Sequence, residues 1–395
     1  MATPYQTEHV REANRHGVYR ALVSCGVATR TELAQRTGLS SPTVGAILAE
    51  FQARGLVVEG GSDEGTGGRP AQRVRFVADA GHVLAVDLSG RHAYACRVDL
   101  TGCVRARHTG PALRPGGTDE LIGWLGTLVQ APDQPSVRRL ALAVPGVIDP
   151  EDGRVDLAPA LGWHRLDLAA RLEAEFDVPV RLENDVNALA LAELHYGAGA
   201  RRRHVVYVAI GSGVGAGVVI DGRLYRGAHA AAGEIGSVLT RAEDADRPHA
   251  PGEPGPLERC VVAAAEGYLS EDGRFASDAP GAQAALDQLV RLLAPALHDL
   301  ACLLDPELLV VAWPGDPDGH LAERLGAIWR GPRPVPIVHG TLGRDGAARG
   351  AAHLALDDIE AEICRHRVRR PRTDPESDAH LAAAQHAPDP RSRHV

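Results

Sequence analysis

At 395 residues with a formal charge of −9, the chain is long enough for two or three domains with their own cores, and its acidity excludes a protein coated in nucleic acid. The six cysteines, Cys25, Cys96, Cys103, Cys260, Cys302 and Cys364, form no C-x-x-C pair, which argues against a disulfide framework or closed zinc site and for reduced thiols. No run approaches the ~18 apolar residues of a membrane span, the opening "MATPYQTEHV" lacks a charged and then apolar leader, and every one of the 42 Lys+Arg positions is arginine. A soluble cytoplasmic protein is expected, and a phosphate loop ending in G-K-[ST] is impossible.

Residues 1–76 hold nine arginines against seven acids, so the acidity lies downstream. In "ATRTELAQRTGLSSPTVGAILAEF", Thr29 and Glu32 have capping-box spacing and open a short helix that Gly38 closes. Ser40 or Ser41 caps a second helix whose Pro42 presets the first turn, and Val44, Ile47, Leu48 and Phe51 recur on it as one apolar stripe. With an earlier helix around Val18 and Leu22, this predicts a helix-turn-helix. The runs "LVVE" and "QRVRFV" flank the glycine-rich "GGSDEGTGGRPA" and predict a wing.

Arg69, in "GGRP", suits an A·T-rich minor groove. Ser41 and Thr43 at the helix start are candidates to face base edges, and Arg30, Arg36, Arg54 and Arg73 are candidates for phosphate. The remaining outward positions of that helix, Gly45, Ala46 and Glu50, offer no bidentate base contact, so shape and wing contacts should outweigh direct readout. A hairpin and three helices that bind protein instead are the alternative.

From His82 the chain reads "HVLAVDLSG", "RHAYACRVDLTG", "CVRARH", and from His204 it reads "HVVYVAIGSG", "VGAGVVIDG", "RLYRG". One strand meander written twice predicts two related halves with a cleft between them. Helical segments around 119–130, 165–176 and 185–196 alternate with the apolar runs "RLALAVPG" and "VPVRLEN", which makes the body α/β. In "LENDVNALALAE", Asn184 and Asp185 stand at a helix mouth, where the macrodipole favours a carboxylate; simple helix capping is the other reading of this pair.

Taken together, "TELAQRTGLSSPTVGAILAEFQARGLVVEG" with "GGRP", "VPGVIDPEDGRVDLAPALGW", "PVRLENDVNALALAE", "VYVAIGSGVGAGVVIDGRLYRGAHAAAGEIG" and "LLDPELLVV" resemble the ROK family (repressors, open reading frames and kinases) over residues of about 9 to 356. The resemblance implies a duplicated actin-like, ribonuclease-H-like α/β body behind the winged head, a sugar site in the cleft, and dimeric or tetrameric regulators where the head is present. The expected boundaries are 1–78 for the winged helix-turn-helix and 79–199 and 200–362 for the two halves, and the polar, proline-punctuated composition of 363–395 predicts a disordered tail.

Residue by residue, the resemblance places Asp185 where the family's kinases hold the base that takes the sugar hydroxyl proton, and Asn184, Asp185, Glu234 and Glu258 where the sugar is lined. It marks Gly211, Ser212, Gly213 and Gly215 as a possible anion loop, although a tight hairpin uses glycines too. The departures are as informative. "DLSG" keeps Asp87 but replaces the D-x-G-G-T phosphate cradle, and "AWPG" puts Trp313 and Pro314 where a glycine pair makes room for nucleotide. Ser237 replaces a zinc-binding histidine and no cysteines follow it, which leaves Cys260 as an ordinary buried thiol. Ala160 replaces a sugar-binding asparagine.

Neither zinc nor ATP is therefore expected as a cofactor. The expectation is a regulator, in the main a repressor, that binds a double-stranded DNA operator and a sugar-like effector. An active hexose kinase with a DNA-binding appendage and an effector-independent DNA-binding protein are the alternatives.

Overall fold

The computed structural model describes residues 4–62, 72–149, 151–211, 213–246, 252–268, 275–276, 279–313, 315–329 and 333–365. The winged head comprises α1 (Pro4–Cys25), β1 (Val27–Thr29), α2 (Arg30–Thr37), α3 (Ser41–Ala53), β2 (Val57–Ser62) and β3 (Gln72–Phe76). The capping box forms as spaced: Glu32 N–H donates to Thr29 Oγ1 at 3.2 Å and Thr29 N–H to Glu32 Oε2 at 2.7 Å. Gly38 ends α2 at φ 69°, and Ser40 caps α3, so two helices turn tightly on one another. Val44, Ile47, Leu48 and Phe51 are buried against Val18, Leu22 and Leu33, and Tyr19 meets Phe51 and Phe76 edge-on at 6.3 and 5.6 Å. The head's sheet has three strands, in the order β1-β3-β2. β1 was not expected, because three residues carry no readable periodicity.

The first half contains β4 (His82–Asp87), β5 (His92–Asp99), β6 (Val104–Ala112), α4 (Thr118–Val129), β7 (Val137–Val144), β8 (Val147–Asp149), β9 (Arg154–Ala158), β10 (Trp163–Leu166), α5 (Leu168–Phe176), β11 (Val180–Asn184) and α6 (Asp185–Tyr196). The second contains β12 (Val205–Ile210), β13 (Val214–Ile220), β14 (Arg223–Tyr225), α7 (Pro256–Glu266), α8 (Ala282–Leu304), β15 (Leu308–Ala312), α9 (His320–Ile328), β16 (Ile337–His339) and α10 (Gly346–Cys364). Their main sheets run β11-β7-β4-β5-β6 and β14-β13-β12-β15-β16. In both, an antiparallel meander is extended by two parallel strands on its first member, so the repeated meander of the sequence is a repeated topology. Central β4 is apolar and buried nearly throughout, whereas edge strand β6 alternates, as burial on two faces and on one requires.

Helix α10 departs from chain order. It follows the second half, yet Ala348, Ala351, Ala355 and Ile359 join one core with Ala85 and Ala141 of the first half's sheet and with Phe51 and Leu22 of the head. Ile363 and Cys364 are fully buried there, which corrects the tail boundary: the helix continues through the start of 363–395, and residues 366–395 lie outside the described residues. Among the described residues no helix is long and apolar enough to cross a membrane.

Candidate functional site

The cleft is assembled at strand ends. Asp87 closes β4, Asn184 closes β11, and β7 lies between them, with Asp87 in register with Ala143 and Asn184 with Val144. The carboxyl ends of parallel strands are where α/β sheets place ligands. Asn184 is the N-cap of α6: its Oδ1 accepts from Asn187 N–H at 3.0 Å, and its Nδ2 donates to the Gly146 carbonyl at 3.0 Å and to Asp185 Oδ1 at 3.2 Å. Capping therefore occupies the Asn184 amide, and what it leaves for a ligand is the orientation it imposes on Asp185.

Asp185 is held in a desolvated position. Burial, then the neighbouring Asp87 charge, then Glu234 push its carboxyl up to about 7, against the pull of its own and Val186's backbone N–H groups at the helix mouth. Asp87 is raised too, by burial, although Ser89 donates to it from N–H and Oγ at 2.9 and 2.7 Å. Desolvation raises Glu234.

Glu234 and Glu258 come from the other half, positioned by close backbone approaches. Gly233, at φ 91°, packs so tightly on β13 that a Cβ would meet the Ala216 carbonyl, and Ala216 N–H donates to the Gly233 carbonyl at 2.7 Å. Glu258, in the first turn of α7, lies against Gly213 and Gly236, where added Cβ atoms would stand 3.3 and 2.7 Å from its carboxylate oxygens. Carboxylates from both halves thus converge, a set of acceptors suited to the hydroxyls of a neutral polyol and opposed to a phosphate.

The glycine run is explained differently from the expected anion loop. Gly211 N–H already donates to the Gly213 carbonyl at 2.8 Å, and the Glu258 carboxylate beside Gly213 disfavours an anion there. Gly215 and Gly217 admit α6 instead: a Cβ on Gly217 would lie 2.4 Å from Ala190 Cβ, and one on Gly215 3.1 Å from Val186 Cγ2. Ser212 lies outside the described residues. Trp313 also differs from expectation. It is 4% exposed in the core of the second half, its ring 5.1 Å from that of Phe275, so its bulk is absorbed by the core; Pro314 lies outside the described residues. Cys260 is half-buried, and Ala160 and Ser237 are exposed. With a serine there, and no group of three or more His, Cys, Asp or Glu side chains able to hold a metal among the described residues, the residues present do not fit a structural zinc.

On the head, Ser41 is exposed, and Thr43 is half-buried with its Oγ1 2.8 Å from Ser40 Oγ. Arg30 and Arg36 are exposed, and the Arg30 guanidinium lies over Gly45 of α3, 3.3 Å from where a Cβ would be. Arg73 is half-buried on β3, in register with Thr29, and Arg69 lies outside the described residues. Arg54 is engaged otherwise than expected: its Nη1 donates to the Ile363 carbonyl at 2.5 Å, joining α3 to the end of α10. Glu50, expected on the outward face of α3, pairs with buried Arg15 at 2.7 Å.

Several connecting residues escaped sequence reasoning. Arg226 donates from Nη2 to Glu183 Oε2 at 2.5 Å, bridging the halves next to Asn184. Tyr94 and Arg107 donate to Asp345 at 2.7 and 2.6 Å, just before α10. Glu193 of α6 accepts from the Thr341 and Leu342 N–H groups at 2.6 and 3.1 Å. None has a local signal, because the partners lie far apart in the chain.

The chain is 28% identical over 241 residues to the xylose repressor of Caldicellulosiruptor bescii, a match covering 60% of each protein. It is 29% identical over 236 residues to the DNA-binding transcriptional dual regulator NagC of Escherichia coli, covering 58% of each. The chain thus spans less than two thirds of the length of these relatives. In fold it superposes on a ROK family transcriptional regulator, a homologue of the E. coli MLC protein, with TM-score 0.72 at 22% identity, covering 90% of this chain and 98% of that one. The corresponding values for a ROK family glucokinase from Streptomyces griseus in complex with glucose and AMPPNP are 0.59, 24%, 69% and 99%. A winged helix-turn-helix DNA-binding profile matches residues 11–58 and a ROK family profile residues 83–358; with two halves of one topology closing on a shared cleft, the chain belongs to the ROK family.

Proposed function

We propose that this chain is a transcriptional repressor that binds double-stranded operator DNA in the cytoplasm through its winged head, as a homodimer or homotetramer, and is controlled by a sugar or sugar-derived effector in the cleft. The observation that carries the reading is the path of α10, which starts beside the Asp345 clamp on the first half and ends in the core of the head. Asp185 on one half, oriented by the Asn184 cap, with Glu234 and Glu258 on the other, are the effector contacts. A ligand bridging them prefers the closed cleft and shifts the population toward it. The movement reaches the heads through α10, and head spacing decides whether two half-sites are engaged together. Arg30, Arg36 and Arg73 supply phosphate contacts, Ser41 and Thr43 face the bases, and Arg69 enters the minor groove.

The test is fluorescence anisotropy with DNA fragments from promoters beside the chain's own gene, with and without a panel of pentoses, hexoses and their phosphates. Binding that weakens with a sugar, and a salt slope reduced by about one for each of Arg30→Ala and Arg36→Ala, is expected. No binding to any fragment at low ionic strength overturns the reading. Binding that no sugar alters, with no thermal stabilisation by any, replaces it with the effector-independent alternative.

One observation favours a second reading. A carboxyl titrating at about 7 is suited to general-base work at neutral pH, and Asp185 stands where a kinase would need it. Phosphoryl transfer depends on neutralising phosphate charge, and the residues here do not fit a nucleotide: the Asp87 turn is closed by Ser89, and Glu258 flanks Gly213. No ATP consumption with any hexose is expected. Turnover abolished by Asp185→Asn would install the kinase reading instead.

A further inference from the structure

Away from the cleft, a cavity of about 610 Å³ opens where the head and both halves meet, a volume within the range of small-molecule sites. Its floor is α10, one wall is α6, its lip is the turn between β13 and β14, and Arg20 of α1 closes one side.

Most of its charges are matched. Arg20 donates to Glu360 at 2.6 Å, His16 lies 2.7 Å from the same oxygen, and Arg226 is paired with Glu183. Two opposite charges are left over. Arg223, on the lip, makes no ion pair among the described residues. Asp357, on the floor, has His353 Nε2, at 3.8 Å, as its ion-pair neighbour among the described residues, and burial holds that imidazole neutral down to about 4. Desolvation, then the neighbouring Glu360 charge, raise the Asp357 carboxyl against the opposing pull of His195 and Arg20, so a further cation beside it would be favourable. His195, stacked on His353 with centroids 3.7 Å apart, is also kept neutral by burial and adds a ring-nitrogen acceptor. Leu191, Leu224 and Leu354 supply aliphatic wall.

An ammonium would relieve Asp357 and donate to His195, a carboxylate would pair with Arg223, and a short aliphatic body would cover the leucines. A simple anion would be repelled by Asp357 and Glu360, and a simple cation would leave Arg223 unused. We propose that this joint cavity binds a small zwitterionic amine carboxylate of the amino-acid class, with its ammonium on Asp357 and its carboxylate on Arg223. The site is separate from the effector cleft and does not rest on the repressor reading. Its lining comes from α1, α6, α10, and the β13–β14 turn together with β14, so occupancy ties the head to both halves.

The test is isothermal titration of the full chain with glycine, L-leucine and γ-aminobutyrate, against leucinamide and isocaproate, which lack the carboxylate and the amine respectively. Binding of at least one zwitterion is expected, with leucinamide and isocaproate each at least about tenfold weaker, since each forfeits one charged hydrogen bond. Arg223→Gln and Asp357→Asn should each cost a similar factor while the unliganded Tm stays put, because Arg223 is exposed and the Asp357 side chain is 59% exposed. Asp185→Asn should leave zwitterion binding intact. The proposal is overturned by no binding of any zwitterion, by equal binding of leucinamide or isocaproate, by binding that survives both joint variants, or by binding lost in Asp185→Asn, which would place the ligand in the cleft.

Discussion

Arg20 of the head and Glu360 of α10, 340 residues apart in sequence, meet at 2.6 Å. Glu360 is 9% exposed and also faces His16, so it is the polar fastening between α1 and α10. Its removal should loosen the head without unfolding the body. In Glu360→Ala, amide hydrogen exchange across residues 11–25 should speed up at least about tenfold, the effect of losing roughly 1.5–3 kcal/mol of charged hydrogen bonding, while the amides of β12 and β15 keep their protection. Uniform loss of protection across both regions would show that Glu360 instead supports the whole fold.

Asp185 is predicted to trade stability for its position. Its carboxyl keeps a proton up to about 7 in the folded chain, against the ordinary aspartate value of 3.8. Between those values the folded state binds more protons than the unfolded one, so this group's contribution falls as pH rises through that window. Asp185→Asn removes the cost of ionising a crowded carboxyl. The variant should be more stable at pH 8 by about 1–3 kcal/mol, raising Tm by several degrees, and should show no thermal shift with any sugar that stabilises the parent. Lower stability of the variant at pH 8 would mean that the ionised carboxylate is compensated.

The glycines after β12 divide by role. Gly217→Ala would drive a methyl to 2.4 Å from Ala190 Cβ and 2.9 Å from the Val186 carbonyl, whereas Gly211→Ala would enter open space. Overpacking of this kind costs about 1–3 kcal/mol. Thermal melts should show Gly217→Ala clearly destabilised and Gly211→Ala within about 0.5 kcal/mol of the parent. Equal losses at both positions would return the run to a loop-geometry explanation.

These glycines mark the boundary of what local patterns reveal. The Thr29–Glu32 capping box, the apolar stripe ending at Phe51 and the twice-written meander were legible because capping, helical periodicity and strand alternation act over a few residues. Gly215 was ambiguous, because close helix packing and an anion cradle ask for the same absent Cβ. Arg54 looked like a phosphate ligand until α10 placed the Ile363 carbonyl within reach. The carboxylates of the cleft could be nominated one by one through resemblance. Their mutual repulsion and the Glu183–Arg226 bridge depend on the closure of two sheets, which no short window contains.

His353 provides a test of the joint by pH. Its neighbours are His195 stacked above it, Tyr196 Oη 2.9 Å from its Nδ1, Asp357 at 3.8 Å, Glu360 one helical turn beyond, and Arg349 over the Tyr196 ring. Burial lowers its pKa from 6.5 to about 4, so between these values the unfolded chain takes a proton that the folded chain refuses. Stability from this group is complete above about 6.5 and is lost as pH falls toward 4. His353→Gln keeps a partner for Tyr196 but cannot titrate. Melts at pH 7 and pH 5 should therefore show a smaller drop for the variant than for the parent, by about 1–2 kcal/mol, with the residual slope carried by His195 and by the carboxylates. An identical drop in both proteins would mean that His353 takes up its proton without opening the joint.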